Sequence, residues 1–267
     1  MARLMCIATH HKAGTIWMKR IVLRLAQALG LPWIGLWGPA QLAAIPATGR
    51  AFLCNWNSRF PRRLWARDDI AFVHLIRDPR DVLLSGMAYH RIAGPRGERF
   101  LHQPRADLDG KSYQQHLNAL PDDTARLHFE MNGKHADTLR DMLGWPWGHP
   151  ANHELRYESL MQDQDGTRFA AALAHWGLTP RDCALGRKLL VEGSLFGGLS
   201  RLENRDARLL QHVQSGGLRR WARELPRAVG AAYAERFGDA LVTLGYERDR
   251  AWVDSLPLSA AEPGSTA

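Results

Sequence analysis

Residues 3–17 read RLMCIATHHKAGTIW, and the order of their residue types decides the fold. Residues 3–9 form a short apolar run that suits a buried strand. The run stops at a polar, glycine-containing turn from His10 to Gly14. From Thr15 onward Ile16, Trp17, Ile21, Leu23, Leu25, Ala28 and Leu29 recur at helical spacing, until Gly30-Leu31-Pro32 ends the pattern. The chain therefore opens as strand, tight loop, helix. Such a loop suits an anion: Gly14 lets the backbone approach closely, the amides that follow point inward, Thr15 adds a hydroxyl and Lys12 a mobile positive charge. A lysine that merely faces water at a plain connection would show the same letters. The loop is not the nucleotide-triphosphatase pattern G-x-x-x-x-G-K-[ST], because Lys12 precedes Gly14 and no earlier glycine exists.

Downstream, residues 51–54 (AFLC) read as a second strand. Residues 70–76 (IAFVHLI) read as a third, nearly continuous in apolar character as a buried parallel strand should be. Asp78-Pro79 then starts a helix, with aspartate as cap and proline in the first turn. Arg77, at the strand's carboxyl end, can hold a phosphate through paired hydrogen bonds. Ser85 follows eight residues later, about two helical turns in, and can add a hydroxyl to the same anion. The competing reading pairs Arg77 and Arg80 with Asp78 and Asp81 at an ordinary helix start. Residues 91–125 read as irregular connection, 126–144 as a helix, and 153–160 (HELRYESL) as a short strand entering a turn. Helices are expected near 166–176, 180–192 and 226–244. Strands alternating with helices imply an α/β fold, a three-layer sandwich whose central, mainly parallel sheet is flanked by helices. One domain over 1–252 is expected, with two smaller ones as the alternative, and a disordered tail over 253–267.

The chain has 267 residues with a net charge of +8, which favours polyanionic partners without choosing among them. Its positive residues build no long basic arm, so nucleic acid is not expected. Three widely spaced cysteines, Cys6, Cys54 and Cys183, argue against a disulfide framework or a thiolate metal site. No stretch approaches the roughly 20 apolar residues of a membrane span, and the first residues lack a signal-peptide core. A cytoplasmic protein is the expectation.

Taken together, the two strand-to-helix junctions resemble the PAPS-dependent sulfotransferases, PAPS being 3′-phosphoadenosine 5′-phosphosulfate. Residues 11–17 (HKAGTIW) are similar to that family's P-K-S-G-T-T-W loop. Arg77, Pro79, Asp81 and Ser85 fit its R-x-P-x-D-x-x-x-S element, and Tyr157-Glu158-Ser159-Leu160 its Y-E-D-L. Its late R-K-G-x-x-G-x-W is only partly present in residues 214–221. The resemblance implies a P-loop-NTPase-like sheet, PAPS as co-substrate, PAP (the desulfated nucleotide) as product, and no metal. It implies that Lys12 holds the leaving 5′-phosphate, with Ala13, Gly14, Thr15, Ile16 and Trp17 forming the loop around it. Trp17 would stack on adenine beside Tyr157, and Arg77 and Ser85 would clamp the 3′-phosphate. Gly216 and Arg219 belong to the late element.

The departures concern the chemistry. Ile16 replaces a threonine, and Gln214-Ser215 replace Arg-Lys unless Arg219 or Arg220 substitutes. The family's histidine base falls at Asn55, which cannot take a proton at neutral pH. His90, His11 and Glu130 stay open as bases, with His90 preferred because it lies five residues past Ser85 on one helix. The expected function is transfer of a sulfuryl group from PAPS to a hydroxyl or amine of a glycan or small molecule. Two alternatives remain, a non-catalytic module that binds PAP or a polyanion, and a P-loop-like kinase.

Overall fold

The structure, a computed structural model, describes residues 2–95, 98–206 and 217–258. In chain order its elements are β1 (Leu4–Thr9), α1 (Thr15–Ala28), β2 (Trp33–Gly35), α2 (Pro39–Ala43), β3 (Ala51–Asn55), α3 (Arg62–Trp65), β4 (Ile70–Ile76) and α4 (Pro79–His90). After these come α5 (Tyr113–Ala119), α6 (Asp123–Asn132), α7 (Lys134–Leu143), β5 (Asn152–Arg156), α8 (Tyr157–Met161), α9 (Thr167–His175), α10 (Pro180–Glu192), α11 (Trp221–Glu224) and α12 (Arg227–Thr243). The chain divides into two compact units, Met1–Arg77 with Gly144–Leu209, and Asp78–Leu143 with Leu210–Ala267.

The first unit holds a five-stranded parallel sheet in the order β2-β3-β1-β4-β5, flanked by helices, as the alternating pattern implies. Every residue of β1, β3 and β4 is buried, which is why these strands read as continuous apolar runs. On one face Leu4, Cys6, Ala8, Leu53 and Phe72 cluster with Trp145. α1 is amphipathic and buries Met18, Ile21, Val22 and Leu25. Burial of each such side chain is worth about 1.5–3 kcal/mol against leaving it in water. The register pairs Ala8 with Asn55, Thr9 with Leu75 and Ile76 with Arg156, so the strands' carboxyl ends finish level.

The second unit is helical, with Leu83, Met87, Leu127, Tyr233, Leu241 and Trp252 in its core. Asp78 caps α4 by accepting from the Arg80 amide. The Arg80 guanidinium, 1 % exposed, bonds Asp78 at 2.8 Å and Glu247 at 2.6 Å, and its carbon lies 3.5 Å from the Trp221 ring centroid. Asp81 accepts from the Trp221 amide at 3.0 Å. The structural pairing thus holds for Arg80 and Asp78.

Four expectations change. Residues 91–125 are not wholly irregular: Ser112 and Gln115 form a capping box that starts α5, a local signal overlooked among the glycines and prolines. The helix expected over 126–144 is two helices, broken at Gly133, where a Cβ would lie 2.6 Å from the Tyr113 hydroxyl. The turn expected to follow the strand within 153–160 is the short helix α8, which Tyr157 begins. The segment expected to be a tail from 253 onward opens with packed residues, since Ala251–Ser255 is a 3-10 helix and Leu256 is 1 % exposed. Residues 259–267 lie outside the described residues.

Candidate functional site

The loop between β1 and α1 is built around two left-handed residues. Lys12 has φ 60° and Gly14 φ 93°. The first is uncommon for a residue with a side chain and marks a backbone held by its surroundings. The His10 carbonyl does the holding, accepting from the Ala13 amide at 3.0 Å and the Thr15 hydroxyl at 2.9 Å. The hydroxyls of Thr9 and Thr15 also meet at 2.8 Å. Glycine at 14 is required twice over, by its φ and because a Cβ would lie 2.9 Å from the Tyr157 ring and 3.3 Å from Leu75. Among the described residues no side chain caps the N-terminus of α1, so its first amides and the positive end of its dipole face the loop.

Around this loop the first unit gathers Arg77, Trp17 and Tyr157, all singled out by sequence. Arg77, buried past the end of β4, donates from Nη1 to the Lys12 carbonyl at 3.3 Å, and its guanidinium carbon lies 4.6 Å from the Tyr157 ring centroid. Trp17 stands edge-on to Tyr157 at 5.9 Å and to Phe196 at 6.5 Å. Ala13 is buried, and Lys12, Thr15, Ile16 and Trp17 are half-buried. A cation, a helix N-terminus, a guanidinium and aromatic faces therefore surround one glycine turn, a set suited to a phosphorylated aromatic ligand.

Asn55 is a structural knot. Its Nδ2 donates to the carbonyls of Leu36 at 2.6 Å and Arg59 at 3.2 Å, while its Oδ1 accepts from the amides of Asn57 and Arg59 at 3.0 Å each. Three of its bonds hold the turn after β3, and the fourth ties that turn to the segment after β2.

The other singled-out residues belong to the second unit. Ser85 lies half-buried on α4. Arg219 is exposed at φ 51°, its guanidinium carbon 5.5 Å from the Trp221 ring centroid, and Arg220 pairs with Glu224 at 2.5 Å. Gly216, Gln214 and Ser215 lie outside the described residues. His90, expected as a base, is 0 % exposed. Its Nδ1 meets Glu130 Oε2 at 2.8 Å, the Tyr113 hydroxyl donates to that same oxygen at 2.8 Å, and the rings of Phe100 and Tyr113 flank it. Glu130, the other open candidate, is 1 % exposed. These two groups form a core contact, and a base must reach an acceptor.

The sequence reading missed a cluster at the loop's root. His10 and His74, both 0 % exposed, meet Nε2 to Nε2 at 2.8 Å, and His74 Nδ1 meets Glu154 Oε2 at 2.5 Å. The Trp145 indole donates to the other oxygen, Oε1, at 3.0 Å. Burial holds both imidazoles well below their ordinary range, for His10 with His74 adding to the effect. Burial also pushes the Glu154 carboxyl up to about 7, against the opposing pull of Trp145, His153 and Arg156. Each group is driven toward neutrality, so the His74–Glu154 contact is a hydrogen bond of a neutral imidazole more than an ion pair. The one sequence signal was a histidine inside an otherwise apolar strand. Burial pushes the Cys54 thiol up to about 12 and raises Cys6 as well, so neither thiol is a ready nucleophile. Among the described residues, no group of three His, Cys, Asp or Glu side chains could hold a metal ion.

No protein-family model and no curated protein matches the sequence. Solved structures do. Mouse sulfotransferase SULT7A1 complexed with PAP matches at TM-score 0.59 and 15 % identity, over 90 % of this chain and 84 % of that one. Retinol dehydratase in complex with androsterone and inactive cofactor PAP matches at 0.56 and 16 %, over 90 % and 80 %. Retinol dehydratase in a complex with retinol and PAP matches at 0.57 and 15 %, over 90 % and 82 %. The chain has the fold of the PAPS-dependent sulfotransferases. No helix among the described residues is long and apolar enough to cross a membrane.

Proposed function

We propose that this chain transfers the sulfuryl group of PAPS to a hydroxyl or amine and releases PAP. The observation that carries the reading is the turn from Lys12 to Thr15, held in a left-handed backbone against Arg77 and Tyr157 at the N-terminus of α1. An uncapped helix start stabilises a 5′-phosphate. Lys12 beside it neutralises the charge that grows on the bridging oxygen as the S–O bond breaks. Trp17 and Tyr157 offer aromatic faces to the adenine. Arg77 suits the 3′-phosphate, the group that separates PAP from ordinary adenosine nucleotides. Ser85, Gly216 and Arg219 are assigned to the donor on motif grounds alone. In the reaction an acceptor lone pair attacks sulfur in line with the bridging oxygen, the S–O bond breaks with its electron pair kept on the 5′-phosphate of PAP, and the acceptor's proton passes to water.

The test is radiolabelled PAPS with a panel of hydroxyl and amine acceptors. Label should move to an acceptor, and Lys12→Ala should cut turnover about 100- to 1000-fold while the melting temperature stays near that of the parent. Turnover unaltered by Lys12→Ala overturns the role of that residue. The four hydrogen bonds that occupy Asn55 favour one rival, a binding module without a base. Tight PAP binding with no transfer to any acceptor is its signature, and turnover of ATP alone is that of a kinase.

A further inference from the structure

The Glu154, His74 and His10 chain has hydrogens enough for only one of two arrangements at a time. Trp145 Nε1 can only donate, so it fixes Glu154 Oε1 as an acceptor and leaves Oε2 to face His74 Nδ1. With the carboxylate ionised, His74 must carry its proton on Nδ1. Its bare Nε2 then accepts from His10 Nε2–H, and His10 Nδ1 is left as a lone pair. With the carboxyl protonated on Oε2, every bond reverses. The acid donates to His74 Nδ1, His74 Nε2–H donates to His10 Nε2, and His10 Nδ1 becomes an N–H. The balance is one solvent proton gained by Glu154, while each imidazole keeps one proton and only moves it. No electrons are exchanged.

His10 Nδ1 is where the two arrangements differ for the loop. It is fully buried and has no hydrogen-bond partner among the described residues. A buried N–H without an acceptor is the harder of the two states to leave unmet. His10 can relieve it by moving, and its own carbonyl is the anchor for Ala13 and Thr15. The cluster therefore joins β5, β4 and the loop after β1 through one line of protons.

We propose that Glu154, His74 and His10 are positioning residues, a tautomer relay that holds the Lys12–Thr15 loop in its anion-binding form when Glu154 is ionised and loosens it when Glu154 is protonated. The functional half of this inference rests on the donor-site reading given above; the relay itself does not. The charged and titratable groups facing Glu154 are His74 on β4, and His153 and Arg156 on its own strand; His175 of α9 packs against His153 at 5.6 Å. The midpoint of the relay follows the Glu154 carboxyl, about 7. If only the ionised arrangement binds, PAP affinity falls about tenfold for each pH unit below that midpoint.

Glu154→Gln is an informative variant, because the amide has one acceptor and one donor end. Trp145 claims the oxygen, so the amide nitrogen must donate to His74, which fixes the protonated arrangement at every pH. Two-bond proton–nitrogen NMR spectra of the whole chain, with ¹⁵N-labelled histidine, report each tautomer directly, and His153 is separated by its own resonance. The parent protein should switch His74 from Nε2–H to Nδ1–H and His10 from Nδ1–H to Nε2–H together as pH rises through neutrality. Glu154→Gln should stay in the acid pattern and bind PAP weakly, with no acid limb left in its pH profile. The double variant Trp145→Phe with Glu154→Gln frees the amide to turn and should recover the alkaline pattern and the affinity. Unswitched tautomers in the parent, or an alkaline pattern persisting in Glu154→Gln, overturn the relay whether or not PAP binds. Tautomers that switch while PAP affinity stays constant overturn the coupling to the loop. Switching tautomers in a chain that binds no PAP in any form support the relay and instead sink the donor-site reading.

Discussion

Each unit of this protein buries a histidine against a glutamate, and the two pairs do different work. In the second unit, His90 and Glu130 sit at 2.8 Å with the Tyr113 hydroxyl on the same carboxylate oxygen, and both are at most 1 % exposed. Desolvation and the neighbouring Glu130 hold the Tyr113 hydroxyl far above its ordinary range, so it stays a donor. That cluster is sealed inside a helical core. In the first unit, His74 and Glu154 belong to a chain whose carboxylate side chain is 33 % exposed at one end and whose last atom, His10 Nδ1, is buried with no partner among the described residues. A satisfied network specifies packing, whereas one left incomplete beside a strained loop stores a choice between states. Residue type alone did not separate the two, which is why His90 attracted attention and His74 did not.

The largest effect should come from opening the sealed cluster. Glu130→Ala removes the partner of both His90 and Tyr113 and should cost about 3–5 kcal/mol in urea unfolding. A loss within error of zero would dissolve the contrast between the units. Gly14→Ala sharpens it from the other side. The φ of 93° and the 2.9 Å approach to Tyr157 should cost about 1–3 kcal/mol in unfolding experiments, with a proportionally larger loss of PAP binding. Arg77→Ala should weaken PAP about tenfold or more by calorimetry, and adenosine 5′-phosphate less, by no more than the loosening of the Lys12 carbonyl contact. Equal losses for the two nucleotides would remove Arg77 from the 3′ end.

At neutral pH the effect of small pH changes is the smallest of these, and it grows toward acid. His135, bonded to the Tyr233 hydroxyl at 2.9 Å, is lowered by burial from 6.5 to about 4, in the direction shared by His10 and His74. Below 6.5 the unfolded chain takes up protons that these buried rings refuse. Their stabilisation is complete above 6.5 and is lost as pH falls toward the folded values, for His135 about 4, by at most about 1.4 kcal/mol per pH unit per histidine. Glu154 has the opposite sign. Its folded value near 7 lies above the ordinary 4.5, so its contribution is full below 4.5 and fades as pH rises through 7. Melting curves across this range should therefore show Glu154→Gln gaining on the parent on the alkaline side only.

Much of the fold was legible because it is written locally. The continuous apolar runs of β1 and β4 announce strands buried on both faces, and Gly30-Leu31-Pro32 announces the end of α1. Ser112 with Gln115 was equally local and was overlooked in a stretch rich in helix breakers. The short β2 was not legible: three residues give too little period to read, and they are a strand only because β3 pairs with them. The anion loop was legible residue by residue, since Lys12, Gly14, Thr15 and Trp17 lie within six consecutive positions.

What the sequence determined by itself was the succession of strand, turn and helix and the chemistry of the turn, because backbone preference and apolar period act over a few neighbouring residues. What only the tertiary structure decided was which polar side chains meet. His10, His74 and Glu154 are separated by 64 and 80 positions and become neighbours through parallel pairing of β1, β4 and β5. The same packing filled the bonds of Asn55 and sealed His90 in a core. Hydrogen bonding and burial depend on position in space, and a strand's place in a sheet is fixed by partners far along the chain.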